Sequence, residues 1–470
     1  MKQIANAAGD TEPAGVVIAR FANRCRSASL SASQRQIAFR AVLDTYAVAV
    51  AAQDHETVRL ARDYAAEFSG GGAGVAWVTG QRLPCESAAW LNAIAAHVLD
   101  YDDVLTPMRA HVSATLVPAL LALHDKTPES SPGFAAAYIA GFEVMAKFAR
   151  VMALNHYSKG WHSTSALGIL GVTVACCVQL DLDESQTRNA LGLAVAQAAG
   201  TRENFGSMAK SFQAGVCAGA SVRAALLAAN GFTAAATAID GPNGYMSLYA
   251  DSEDLSDVLA QLGRPPLEID AMGIDQKKYP CCYAVHRALD AVIALRAENN
   301  LEAQDITAID VLTSARGREA LITGEPTDCL QAKFSMEYAL ASALVDGGVS
   351  MRTFTESFFD RPAVHELMNK VRLEEAGGTV LPRWSEVTLF HKDGRRWNRR
   401  VQVAHGDAPD PLTDRELKAK AHDCFEYSGR GSWADAIATT VLDANLDDEA
   451  RVSACLEHLP QQIISSIEAT

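Results

Sequence analysis

The stretch AGVCAGASVRAALLAAN, residues 214–230, decides how this chain is read. Alanine and leucine cost least in a helix, and the residue that follows, Gly231, suits the left-handed turn that closes one. Arg223 is the only charged side chain in the run, so the helix has no wide polar face and needs helical neighbours on more than one side.

The same texture extends outward. Residues 132–154 are apolar but interrupted by Glu143, Lys147 and Arg150, and residues 165–180 are too few to span a bilayer, so both read as buried helices. Ser33 stands three residues before Gln36, and Asp183 three before Gln186, each ahead of an apolar periodic run, the signature of a capping box. Residues 1–270 are therefore expected to form a helical domain. At about residue 271 the pattern changes. Ile306 to Leu312 alternates as a strand does, residues 386–403 carry a hairpin signal at Lys392-Asp393-Gly394, and a helical run covers 283–299. This predicts a smaller α+β domain over 271–410. Beyond Asp407-Ala408-Pro409-Asp410-Pro411 the chain is polar and helix-prone, and residues 411–470 are expected to rejoin the helical domain. The fold class is thus mainly α, a large all-helical domain with a smaller α+β one.

A chain of 470 residues suits two domains, and 49% hydrophobic with 21% charged residues is the composition of a folded protein. A net charge of -15 argues against nucleic acid or an anionic membrane as partner, because phosphates would be repelled. Any anionic substrate must then be held by a local cluster of Lys, Arg and His. The start, MKQIANAAGDTEPAG, does not read as a secretory signal, and the ten cysteines lack zinc-ligand spacing, so reduced thiols in the cytoplasm are expected.

The glycine cluster Ser69 to Gly74 has no Lys-Ser/Thr after it and reads as a turn, and neither GxSxG nor HExxH occurs. Four other segments collect reactive side chains. In HVLDYDD, residues 97–103, a continuing helix would set His97, Asp100 and Asp103 along one side, with Pro107 turning the chain into a loop that bears Arg109 and His111. A solvated acidic helix end would look the same. In Asn155 to Ser165, a helix N-terminus at Ser163 and Thr164 would seat a carboxylate beside His162, with Tyr157 nearby. Lys210 precedes a buried helix, where desolvation would tune it towards a base. Lys277-Lys278-Tyr279-Pro280-Cys281-Cys282 opens the second domain, with His286 on the helix after it, and Lys333 to Tyr338 precedes another alanine-rich helix.

Taken together, HVLDYDD, GWHSTSALGILG, MAKSFQAG, KKYPCCYAVH and AKFSMEYALASALVDG, in this order across nearly the whole chain, resemble the MmgE/PrpD family, which includes 2-methylcitrate dehydratase, cis-aconitate decarboxylase and iminodisuccinate epimerase. The resemblance implies a helical domain built from both chain ends, a small lid, a homodimer, no metal and no organic cofactor. It implies proton chemistry next to a carboxylate of a small polycarboxylic acid, first of all as a dehydratase-like lyase. The alternatives are an amino-dicarboxylate epimerase, a cis-aconitate decarboxylase-like activity, or a binder without chemistry. By motif, Asp100, Tyr157, His162, Lys210 and Lys277 would be catalytic, and Arg109, His111, Ser163, Thr164, Lys278, His286 and Tyr338 would bind substrate. Val104, Gln213 and Cys282 depart from the decarboxylase pattern.

Overall fold

In the computed structural model, which describes residues 12–250, 254–322 and 324–443, the chain begins as a succession of helices. Short turns aside, these are α1 (Ala14–Cys25), α2 (Ala32–Ala51), α3 (Glu56–Phe68), α4 (Cys85–Val98), α5 (Ser113–Ala122), α6 (Phe134–Ser158), α7 (Gly168–Gln179), α8 (Glu184–Val195) and α9 (Met208–Ala229). The run that decided the sequence reading is the body of α9. It ends at Asn230, and Gly231 takes the left-handed conformation there, φ +90°. By length and composition α9 could cross a membrane, but Ala214, Cys217, Ala218, Val222 and Ala225 on it are buried in the protein core. Its backbone lies against α4 so closely that a Cβ on Gly215 would stand 2.8 Å from the Trp90 carbonyl oxygen. Gly141 of α6 and Gly171 of α7 serve the same purpose, since a Cβ on either would collide with the carbonyl oxygen of the other.

Helix α8 opens with the Asp183–Gln186 capping box. Helix α2 opens two residues earlier than expected, at a box formed by Ser31 and Gln34 rather than Ser33 and Gln36. The Ser-x-x-Gln pattern occurs twice, offset by two residues, and the earlier copy allows more of the chain to become helical.

The smaller body holds α10 (Tyr283–Asn299), β1 (Ile306–Thr313), α11 (Met336–Asp346), β2 (Val371–Glu375), β3 (Ser385–His391) and β4 (Arg396–Val401). Its strands run in the order β2-β1-β3-β4, with β2 parallel to β1 and the other neighbours antiparallel. Ile309 of β1 lies between Val371 and Leu389, and the buried side chains of β1 and β3 meet α10 and α11 in a second apolar core. The fold class is mainly α with a smaller α+β part.

The chain then returns through α12 (Asp414–Tyr427) and α13 (Ala434–Leu442), whose Leu417, Phe425, Ile437 and Val441 belong to the first core alongside Tyr46. Residues 444–470, with Cys455, lie outside the described residues.

Candidate active site

Helix α4 stops at Val98, and Asp100 takes the left-handed conformation with φ 54°. The expectation that His97, Asp100 and Asp103 share a helical face is therefore corrected. Asp100 and Asp102 turn towards the site. Asp103 turns away and accepts the Ser113 backbone N–H at 3.1 Å, together with its hydroxyl, at the start of α5. Burial pushes the Asp103 carboxyl up to about 7 against that hydrogen bonding.

Asp100 lies between two ammonium groups. Lys210, in the first turn of α9, donates to its Oδ1, and Lys277 donates to its Oδ2 at 2.8 Å and to its backbone carbonyl at 2.7 Å. Burial alone would raise the Asp100 carboxyl, but Lys210 and then Lys277 outweigh it and hold it well below the usual carboxylate range. Lys277 is wholly buried behind Asp100. Lys278 lies over the Tyr279 ring, so only the first lysine of the pair reaches the site.

Three imidazoles stand close together beside this carboxylate. His97 Nδ1 is 2.7 Å and His111 Nδ1 3.0 Å from Asp102 Oδ2, and His111 Nε2 is 3.7 Å from Asp100. His162 Nδ1 meets Gln213 Oε1 at 2.6 Å, while the Gln213 amide donates to the Thr201 carbonyl. The His162 ring stacks on His97 with centroids 5.7 Å apart. Burial pushes His97 down to about 4, reinforced by Lys210 and opposed by Asp102. Burial also lowers His111, against Asp102, and takes His162 well below the usual range. The shift in all three is towards the neutral imidazole.

Tyr157, in the last turn of α6, has the Arg109 and Arg202 guanidinium carbons 4.8 and 3.9 Å from its ring centre. Both arginines bind Glu319 of the smaller body, Arg202 at 3.1 Å. Burial pushes the Tyr157 hydroxyl up to about 12, against the pull of Arg202 and Arg109.

Part of this set lines one cavity of about 130 Å³ between the two bodies. The helical side supplies Asp100, Arg109, His111, Tyr157, His162 and Lys210, and the smaller body supplies Cys282, Arg287, Ser314, Arg316, Glu319 and Arg383. Arg109 Nη2, His162 Nε2 and Ser314 Oγ are buried with no hydrogen-bond partner among the described residues.

Several sequence candidates lie elsewhere. Ser163 and Thr164 begin a single turn, Ser163–Ala166, and do not line the cavity; the Thr164 hydroxyl accepts the His111 backbone N–H at 3.1 Å. The expected carboxylate seat at that helix end is therefore absent. His286 packs against Tyr279 and Tyr283, and Tyr338 donates to the Thr353 carbonyl inside the second core, so neither reaches the cavity. The sequence reading did not single out Arg202, Glu319, Arg287 or Arg316; Arg202 opens a single turn, Arg316 and Glu319 share the turn after β1, and Arg287 lies on α10. It also passed over Asp102.

Ligand-type atoms of His97, Asp102 and His111 lie within 4.8 Å of one another, a grouping that local spacing could not reveal. His97 Nδ1 is hydrogen-bonded to Asp102 Oδ2 at 2.7 Å, and His111 Nδ1 stands 3.0 Å from the same oxygen.

The family described as the MmgE/PrpD N-terminal domain matches residues 16–257, and that described as the MmgE/PrpD C-terminal domain matches residues 279–446. Cis-aconitate decarboxylase of Homo sapiens is 28% identical over 426 residues, covering 87% of this chain and 86% of that protein. The Mus musculus enzyme of the same name is 25% identical over 81% of this chain and 80% of its own length. For cis-aconitate decarboxylase of Aspergillus terreus the figures are 25%, 62% and 64%.

Proposed function

The chain belongs to the MmgE/PrpD family, and from that premise we propose that it is a cofactor-independent lyase that breaks a bond next to a carboxylate of a small polycarboxylic acid, with cis-aconitate the first substrate to test. The observation that carries this reading is the charge of the cavity. Five lysine and arginine side chains line it against two carboxylates, in a chain whose net charge is -15. Such a cavity favours a compact polyanion over neutral or cationic ligands.

The site also holds both kinds of proton carrier. Lys210, as an ammonium hydrogen-bonded to Asp100, is a donor, and a neutral histidine Nε2 is an acceptor. In decarboxylation the electron pair of the broken C–C bond stays on carbon, spreads into the remaining carboxylate beside the cationic wall, and takes a proton from Lys210. In dehydration the histidine removes the carbon-bound proton and Lys210 protonates the departing hydroxyl. Positioning and charge stabilisation supply most of the acceleration in either case.

Incubation with cis-aconitate and with 2-methylcitrate in heavy water tests the reading. Carbon dioxide release with deuterium on carbon supports decarboxylation, and an alkene without carbon dioxide supports dehydration. Binding with neither product nor exchange leaves a binder and ends the lyase reading. A second reading, inversion of an amino-dicarboxylate, draws on Tyr157 and Lys210 lining the same cavity, and deuterium exchange into such a substrate would favour it. We further infer a homodimer. Leu60, Tyr64, Phe68, Met208 and Phe212 leave large apolar surface exposed along α3 and the start of α9, as an unfilled interface would. Sedimentation as a monomer at micromolar concentration would contradict it.

A further inference from the structure

We propose that Asp102 is a positioning residue that holds His111 with its proton on Nδ1, so that Nε2 faces the cavity as a proton acceptor. This deepens the reading of the cavity as a proton-transfer site and rests on it.

Asp102 is wholly buried. One of its oxygens, Oδ2, meets both His97 Nδ1 at 2.7 Å and His111 Nδ1 at 3.0 Å, the second off the line of a well-formed hydrogen bond. Catalytic hydrogen bonds are often loose without substrate and tighten when it binds. An ionised carboxylate only accepts, so His97, which is hydrogen-bonded to it, offers an N–H, and His111 Nδ1 at 3.0 Å is placed to offer one as the contact tightens. The His111 ring lines the cavity, with Nε2 on the side of Asp100 and Lys210. The same arrangement is built a second time with different chemistry. Gln213, its amide group engaged by the Thr201 carbonyl, gives His162 an acceptor at Nδ1 and leaves Nε2 without a partner.

When His111 Nε2 takes a proton from the carbon beside a substrate carboxylate, the C–H electron pair passes into that carboxylate. The imidazolium formed keeps its Nδ1–H on Asp102, whose negative charge offsets the new positive one. The charged and titratable groups facing His111 are Asp100, Asp102, Lys210, Lys277, His97 and His162. Burial and the two lysines favour its neutral form, and Asp102 is the group that pulls the other way.

Nitrogen NMR of the full chain labelled with 15N-histidine decides the matter without any substrate, with His111→Asn identifying the His111 signals. At pH 7.5 wild-type His111 should be neutral with its proton on Nδ1, and in Asp102→Leu it should move to Nε2 or to a mixture. A wild-type His111 protonated on Nε2 or on both nitrogens overturns the proposal, even if the Leu variant fails to fold. The kinetic arm uses Asp102→Asn, which keeps an acceptor but removes the charge. Turnover should fall about 10- to 100-fold and the acid limb of the pH–rate profile should move to lower pH. In the His111→Asn background the same change should have almost no further effect. An unmoved acid limb, or full additivity, assigns Asp102 a structural role only. If the NMR result holds but no polycarboxylate turns over, the lyase reading fails and the Asp102 assignment stands.

Discussion

Lys277→Met gives the sharpest test of how the centre is held. Its ammonium is wholly buried, 2.8 Å from one Asp100 oxygen and 2.7 Å from the Asp100 carbonyl. Methionine keeps the apolar stem and removes both bonds. Breaking a buried ion pair by deleting one partner costs about 3–5 kcal/mol, and because Lys210 still faces Asp100 the lower end, about 3 kcal/mol, is expected. Lys210→Met removes one bond at the cavity wall and should cost less, about 1–2 kcal/mol, while turnover falls at least about 10²-fold. Since Lys277 does not line the cavity, its loss should act on stability and kcat through Asp100 rather than on KM. Lys278→Met should stay within about 0.5 kcal/mol of wild type. The sign of the pH dependence is fixed. Asp100, held below its ordinary range, contributes stability that is present above about pH 4 and lost as pH falls through its folded pKa. Without Lys277 that pKa rises, so acid unfolding should begin at higher pH. Urea unfolding followed by circular dichroism at several pH values reads both effects. Equal stability of Lys277→Met and wild type, with unchanged acid behaviour, would refute the account of Asp100 as the anchor of two lysines.

Three further outcomes are expected. His97 is pushed from 6.5 down to about 4, so the stability it contributes is fully present above pH 6.5 and lost between 6.5 and about 4, on the order of 3 kcal/mol for this group alone; a melting temperature level from pH 7.5 to 4.5 would contradict that. Glu319→Gln removes the charge that ties Arg109 and Arg202 to the smaller body, and kcat and KM should change together, as for other closure residues; steady-state kinetics within twofold of wild type would end the clasp. Dialysis against EDTA should leave turnover intact, because the proposed proton transfers use Lys210 and a histidine alone, and activity lost to the chelator and restored by one metal would instead place an ion among His97, Asp102 and His111.

Local chemistry made part of this molecule legible. Alanine-rich runs, the Asp183 capping box, the β1 alternation and the 283–299 helix are decided by neighbours in sequence, and the structure places each where the pattern put it. Lys210, His111, His162, Tyr157, Arg109 and Asp100 were found because each sits in a dense local motif, and all six line the cavity. What local pattern could not supply was direction. Tyr338 and His286 occur in motifs as dense as the others, but their helices turn them into the second core. The helix end at Val98 was equally hidden, since His97, Asp100 and Asp103 keep helical spacing and the signal that overrides it lies far away in the chain.

That distant signal is a set of lysines. Lys333 donates to the Leu99 carbonyl at 2.7 Å, Lys277 to that of Asp100 at 2.7 Å, and Lys420 to that of Tyr101 at 2.8 Å. Three successive carbonyls at the negative end of α4, left without helical partners, are thus met by three buried cations. One stands just before α11, one at the entry to the smaller body and one on α12. Lys420 also binds the Lys277 carbonyl and lies 2.6 Å from Asp44, which ties the set to α2. Lys333 donates to two carbonyls, those of Leu99 and Pro280, and burial pushes it down to about 8. The left-handed turn at Asp100 is the backbone's answer to these contacts, because continuing α4 would bury those carbonyls within the helix. The smaller body therefore does more than close a cavity. Its lysines fix, from behind, the direction of the carboxylate around which the helical side arranges Lys210 and His111, so the site is complete only with both bodies in contact.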